Sequence, residues 1–183
     1  EKLDSETLDW MKAQGAYTRD VVDAVAPHAA LAKRVAAFTG SFGFIQNYER
    51  YGDRQFYEER APGADSFDLV GKDRKGKREI VDVAAIRAAH GGKPYAINYF
   101  LASPDGTKVA AGISEGGSEA ASLYVYDAAS GKQIAGPIDR ADFGGTSWSD
   151  DSRLLYFIRL KELAAGEDAI NKYKNGTAQV WDL

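Results

Sequence analysis

The chain has 183 residues, 44% of them hydrophobic and 27% charged, a composition typical of a globular protein with a sizeable core. Its 23 basic residues face 27 acidic ones, and the resulting net charge of -4 argues against nucleic acid or an anionic membrane as a partner. The absence of cysteine excludes disulfides, thiolate metal sites and thiol nucleophiles, and leaves open whether this soluble protein is cytoplasmic or periplasmic.

The first 40 residues predict two helices. Apolar side chains recur there at helical spacing, first at Trp10, Tyr17, Val21 and Val25 and then at Leu31, Val35 and Phe38. Asp4 or Ser5 can cap the first helix, and Pro27 is expected to end it. Gly40 is expected to stop the second helix. We therefore assign residues 1–40 to an N-terminal helical segment.

After Gly40 the hydrophobic period changes from helical to two-fold, which is typical of β-strands. A first set of four strands is predicted at residues 43–50, 54–60, 66–71 and 78–83. Tyr51-Gly52-Asp53 predicts a tight hairpin between the first two strands. The polar stretch from Lys72 to Lys77 predicts a turn between the last two, so the set is expected to form an antiparallel sheet.

A spacer with some helical character, Ala84 to Lys93, precedes a second set of strands. Its four members are predicted at residues 95–102, 107–114, 122–127 and 132–138. A third set has only three members, predicted at residues 143–149, 153–160 and 177–183, with a polar insertion from Lys161 to Gly176 before the last. The three sets occupy approximately residues 43–83, 95–138 and 143–183 of a β-region that spans residues 41–183.

One turn motif recurs along this β-region. Ser103-Pro104-Asp105-Gly106 has a counterpart 46 residues later in Ser149-Asp150-Asp151-Ser152. Repeats of about 40 to 50 residues with four short strands each are typical of β-propeller blades. We therefore predict a mainly β fold, a partial β-propeller of two four-stranded blades plus part of a third, preceded by two N-terminal helices. A meandering sandwich is the alternative; because so few blades cannot close a ring, we expect the chain to be a fragment.

The sequence predicts no chemistry within the chain itself. Ser118 lies in a Gly-Gly-Ser-Glu-Ala run, but an alternating strand follows it instead of the helix that a nucleophile elbow needs. Both histidines, His28 and His90, precede it and have no metal-ligand spacing, so we predict no catalytic residue, no metal and no cofactor. Glu115 and Glu119 flank the same glycines, and we interpret them as members of an exposed loop instead of an acid-base pair.

Three stretches of the chain carry motifs in the order in which one known family has them. They are Leu3 to Arg19 (LDSETLDWMKAQGAYTR), Lys93 to Glu119 (with KPYAINYF, SPDG and GISEGGSE) and Gly136 to Trp148 (with GPIDR and FGGTSW). Together they resemble the prolyl oligopeptidase family of serine peptidases. The short stretch rich in proline and aromatic residues with which that family's lead-in begins is missing before Glu1.

The resemblance implies a serine endopeptidase in which a seven-bladed propeller covers a C-terminal α/β-hydrolase domain that cleaves short peptides after proline. Residues 1–40 would pack on that hydrolase domain, which lies outside this chain together with the catalytic residues, so the chain alone would be inactive. Phe143 matches an aromatic residue that lines an apolar substrate subsite in family members, and it is the one substrate-binding residue that the resemblance assigns. The alternative is an aromatic residue that closes a strand end against the neighbouring blade. Related families with the same architecture prefer basic or acylated substrates.

A second interpretation is a propeller-like module that binds a peptide or protein partner and has no enzymatic role. Two complete blades argue against such a module on its own, because neighbouring repeats supply one another's buried surface. The partners that we expect are therefore short proline-containing peptides and the hydrolase domain.

Overall fold

The computed structural model describes residues 3–39, 41–142 and 147–183. They divide into two compact units, residues 1–42 and 43–183. The first unit contains α1 (Ser5–Asp23) and α2 (His28–Phe38). Of the two predicted caps for α1, Asp4 is the one used, and its carboxylate accepts a hydrogen bond from the Thr7 N–H at 2.7 Å.

The prediction that Pro27 ends the first helix is wrong. α1 ends at Asp23, and Pro27 is the N-cap residue of α2 instead. Proline is tolerated at a helix start because the N–H that it lacks would have no helical partner there, so it marks a beginning as readily as an end. α2 ends at Phe38, and Gly40, the predicted stop, lies outside the described residues.

Three antiparallel sheets form the second unit, and in each sheet the strands are neighbours in chain order. The first sheet contains β1 (Phe44–Tyr51), β2 (Arg54–Arg60), β3 (Asp68–Asp73) and β4 (Gly76–Val81). The connecting helix α3 (Val83–Ala89) leads to the second sheet, which contains β5 (Tyr95–Ala102), β6 (Lys108–Glu115), β7 (Ser122–Asp127) and β8 (Gln133–Ile138). The third sheet contains β9 (Ser147–Trp148), β10 (Leu154–Arg159) and β11 (Thr177–Asp182), with a 3₁₀ helix (Ala169–Tyr173) before the last strand.

The predicted mainly β architecture of two four-stranded sheets, part of a third and two preceding helices is confirmed. Several strand boundaries differ from the predicted ones by one or two residues, and at one of them a side chain starts a helix where the strand pattern continues. The predicted strand 78–83 ends at Val81, since the Asp82 carboxylate accepts the Ala85 N–H at 2.8 Å and caps α3. Val83, predicted to lie in the strand, is the first residue of α3 and is fully buried.

The repeated turn motif has the same hydrogen bonds in both copies. The Ser103 N–H donates to the Lys108 carbonyl at 2.9 Å, and the Lys108 N–H donates to the Ser103 hydroxyl at 3.0 Å. The Ser149 N–H likewise donates to the Leu154 carbonyl at 2.8 Å, and the Leu154 N–H to the Ser149 hydroxyl at 2.9 Å. The sequence repeat therefore marks equivalent hairpins in the second and third sheets.

The core lies at the junctions between consecutive sheets. One cluster joins the first sheet and α3 to the second sheet through side chains such as Phe56, Val81 and Val109. A second cluster joins the second sheet to the third through side chains such as Leu123 and Leu155. Full burial of an aliphatic side chain contributes about 1.5–3 kcal/mol, so each sheet depends on its neighbour for stability.

Candidate functional site

The first strands of consecutive sheets lie side by side. Glu49 in β1 accepts a hydrogen bond from the Ala102 N–H at the end of β5, with 2.9 Å between oxygen and nitrogen. Trp148 in β9 donates its Nε1–H to the Leu101 carbonyl of β5 at 3.2 Å. Burial raises the pKa of the Glu49 carboxyl, and the Ala102 N–H partly opposes that shift. Glu49 and Trp148 therefore join the edges of the three first strands into one side of the unit.

A groove of about 390 Å³ lies between β1 and β5 on this side. Two copies of an Asn-Tyr pair line it, Asn47-Tyr48 and Asn98-Tyr99, together with Glu49 and Phe100. Asn47-Tyr48 and Asn98 lie where the strand register shifts at an irregularity of the β-bulge kind. Because a bulge bends its strand and redirects side chains, the two irregularities shape the walls of the groove.

Hydrogen bonds hold both bulge asparagines in place. The Asn47 amide donates to a carboxylate oxygen of the buried Glu58 at 2.9 Å. The Asn98 amide donates to the Ser118 carbonyl at 2.9 Å, and its oxygen accepts from the Ser114 hydroxyl at 2.7 Å. The groove is therefore preformed, and it presents amides, aromatic rings and one carboxylate, groups that can contact a peptide without chemical reaction.

Phe143, the substrate-binding residue that the family resemblance assigns, lies outside the described residues. The two residues before it, Ala141 and Asp142, are both buried. The Tyr99 hydroxyl donates to the Ala141 carbonyl at 2.6 Å, and burial, with a smaller contribution from Asp142, raises the pKa of Tyr99 to about 12. The Tyr99 ring covers Gly112 so closely that a Cβ at that position would come within 2.2 Å of Cε1.

Ser118, His28 and His90 each make contacts in a different part of the chain. The Ser118 hydroxyl donates to the Glu115 carbonyl at 2.8 Å, within the turn between β6 and β7. Nδ1 of His90 lies 2.8 Å from the Ile86 carbonyl, at the end of α3. His28 belongs to the helical unit, where its Nδ1 lies 3.1 Å from the Asp23 carboxylate. These contacts form no nucleophile-base pair, which needs the base within hydrogen-bond reach of the hydroxyl.

Glu115 has the opposite electrostatic environment from a general acid. It is exposed, and Lys93 lies 2.9 Å from its carboxylate and lowers its pKa. A carboxylic acid catalyst needs a raised pKa instead. In the described part of the chain, no cluster of three or more His, Cys, Asp or Glu side chains could hold a metal ion. Among the described helices, none is long and apolar enough to span a membrane.

Several residues of the site were not singled out from the sequence. The Asn-Tyr pairs had a visible signal, since Asn47-Tyr48 and Asn98-Tyr99 occupy similar places in the two segments FIQNYERY and YAINYFLA. The sequence gives no such signal for Glu49, because its partner, the Ala102 N–H, is 53 residues away in the chain. A contact of that kind depends on how two sheets stack, and the hydrophobic periodicity of one strand does not predict it.

The family model for the prolyl oligopeptidase N-terminal β-propeller domain matches residues 1–183. A structure from a mechanistic analysis of two prolyl endopeptidases is similar over 100% of this chain and 27% of its own, with a TM-score of 0.77 and 21% identity. Prolyl oligopeptidase B from Galerina marginata, bound to a 25mer macrocyclization substrate, is similar over 100% of this chain and 28% of its own, with a TM-score of 0.77 and 15% identity. No curated protein matches the chain.

The same Galerina enzyme bound to a 35mer substrate gives a TM-score of 0.75 at 15% identity. At these identities the likeness shows the fold alone. The chain spans between a quarter and a third of the length of these structures, 27% of one and 28% of the others.

Proposed function

Because the chain belongs to the prolyl oligopeptidase family, as an N-terminal β-propeller domain, we propose that it gates and helps position short peptides for a serine endopeptidase that cleaves after proline. The catalytic α/β-hydrolase domain of that enzyme lies outside this chain. The neighbouring structures support peptides as the substrate class, since the Galerina enzyme was solved with 25mer and 35mer substrates.

The observation that carries the proposal is the stacking of three sequential sheets with their first strands side by side. Sheets repeated in this way around an axis surround a central channel. A channel admits an extended peptide and excludes a folded protein by size. The groove between β1 and β5 offers such a peptide aromatic rings and fixed amides, while the chemistry is left to another domain.

The helical unit supports a contact between residues 1–40 and the hydrolase domain. α1 exposes apolar side chains that include Trp10 and Tyr17. α2 carries an apolar groove of about 590 Å³ whose lining includes Leu31 and Val35. Contiguous exposed apolar surface of this kind marks a protein-protein contact.

The test of the proposed function compares the full-length protein with residues 1–183. Both are assayed with a chromogenic peptide that contains proline. We expect hydrolysis by the full-length protein and none by residues 1–183. Hydrolysis by the shorter protein would contradict the assignment of catalysis to another domain, and an inactive full-length protein would favour a binding module.

We propose that Phe143 lines an apolar subsite for longer peptides. In the full-length enzyme, Phe143→Ala is expected to raise KM for such peptides more than it changes kcat. Ile134→Ala, at an exposed position on the outermost strand β8, is the matched control and should leave both constants unchanged. An unchanged KM in the Phe143 variant would remove this residue from the substrate site.

A further inference from the structure

The insertion before β11, residues 161–176, begins and returns beside the connection between the second and third sheets. We call residues 161–176 the strap and residues 139–142 the connection. Directly before the strap, the Leu160 N–H donates to the Arg140 carbonyl of the connection at 2.8 Å. At its return, the Lys172 carbonyl accepts the Lys161 N–H at 3.2 Å. Residues 161–172 of the strap therefore form a loop that closes beside the connection.

One side-chain ion pair between the strap and the connection is buried. Lys172 Nζ lies 2.8 Å from an Asp142 carboxylate oxygen, and the Asp142 side chain is only 3% exposed. A second ion pair between the two segments joins Arg140 to Glu162 at 3.0 Å, and the Glu162 side chain is 83% exposed. Exposed pairs contribute little, whereas a buried carboxylate that loses its partner is strongly destabilising. Of these two ion pairs, the one made by Lys172 therefore contributes more.

The strap presents Lys172 on a short ordered element. The 3₁₀ helix that contains it starts at a cap, where the Asp168 carboxylate accepts the Ile170 N–H at 3.0 Å. The Lys172 ammonium also lies 4.8 Å from the centre of the Tyr173 ring, a distance at which a cation and an aromatic ring attract. The hydrogen bond to Asp142 raises the pKa of Lys172.

The connection has a separate attachment to the third sheet. Arg159, in β10, forms an ion pair with Asp139, in addition to the main-chain bond between Leu160 and Arg140. Loss of the Lys172 contact would therefore leave the connection attached to β10. The strap is the segment that would lose a contact.

We propose that the ion pair between Lys172 and Asp142 is a latch that holds the strap closed over the connection. When the latch breaks, the strap opens while the three sheets keep their structure. This conformational device is independent of the proposed peptidase function, because it concerns only contacts within the sheet unit.

The test measures cleavage of the full-length protein by an endopeptidase that cuts after glutamate. Glu162 and Glu167 report on the strap. Glu115, the last residue of β6, and Glu119, in the turn that follows, serve as reference sites in the same molecule. Lys172→Met is expected to speed cleavage at the strap sites at least tenfold and to leave the reference sites within twofold. The matched control is Lys174→Met, at an exposed position two residues along the strap, and it should change neither.

A double variant separates opening of the strap from general destabilisation. Asp142→Asn combined with Lys172→Met leaves no buried unpaired charge, so its Tm should exceed that of Lys172→Met alone while strap cleavage stays fast. Slow strap cleavage in either variant would overturn the latch. An equal increase at the strap and reference sites would also overturn it, because the ion pair would then stabilise the sheets as a whole.

Discussion

The helical unit and the sheet unit differ in how much apolar surface they bury. Neither α1 nor α2 has a buried side chain, and Trp10 and Tyr17 are 62% and 66% exposed. In the sheet unit, Leu123 and Leu155 are fully buried between consecutive sheets. The sheets therefore have a core of their own, whereas the helices rely on capping and helical propensity, which stabilise a helix only marginally.

The largest expected difference between the units comes from truncating one leucine in each. Leu123→Ala should lower the free energy of unfolding by about 2–5 kcal/mol, because it leaves a cavity between two sheets. Leu31→Ala, at an exposed position in α2, should change it by less than about 0.5 kcal/mol. Urea denaturation followed by tryptophan fluorescence measures the Leu123 variant, since Trp148 and Trp181 pack against the Leu123 cluster. Helical circular dichroism during the same denaturation measures the Leu31 variant, since Leu31 lies in α2. Equal losses of unfolding free energy in the two variants would contradict the difference in burial between the units.

A glycine in each unit should respond to alanine with opposite sign. Gly112→Ala forces a Cβ within 2.2 Å of the Tyr99 ring, and overpacking of this kind costs about 1–3 kcal/mol. Gly15→Ala, inside α1, meets no atom closer than 3.8 Å and should stabilise the helix by up to about 1 kcal/mol. Thermal denaturation and the helical circular dichroism signal report the two effects. A stabilising Gly112 variant would mean that Tyr99 can move from its place beside β6.

The pH dependence of the free energy of unfolding should show the effect of burying the Glu49 carboxyl in the sheet unit. Because burial raises its folded-state pKa above 4.5, its contribution to stability is present below pH 4.5 and is lost as pH rises through the folded pKa. Relative to Glu49→Gln, the wild-type protein should therefore lose free energy of unfolding across that window. Denaturation at a series of pH values measures the difference, and a difference that does not vary with pH would contradict the burial of this carboxylate.

The smallest expected effect is the reverse pH dependence in the helical unit. The Thr7 N–H lowers the pKa of the Asp4 carboxyl below 3.8, so the stabilisation that it gives α1 is present above pH 3.8 and is lost as pH falls through the folded pKa. Helical circular dichroism of the wild type and of Asp4→Ala should converge in acid and differ at neutral pH. A constant gap between them would show that Asp4 does not act through its charge.

Much of the local structure follows from the sequence. The predicted strands 95–102 and 122–127 match β5 and β7 residue for residue, because alternating side chains between polar turns specify both the strand and its ends. Errors occur where one residue type serves two structures, as with Pro27 at a helix start and Val83 in a helix that follows a strand. The Asp82 cap decided the position of Val83, and Pro27 is itself the N-cap residue of α2.

The amino-acid sequence alone determined the change from helical to strand period, the turns and the grouping of strands into three sets, because these depend on side chains within a few residues of each other. Only the tertiary structure decided which backbone group meets Glu49 and which lysine meets Asp142, a partner 30 residues away. The physical reason is that these contacts form between separate sheets and loops. Whether a charge is buried and paired depends on how those elements stack, and the residues beside it in the chain do not specify that.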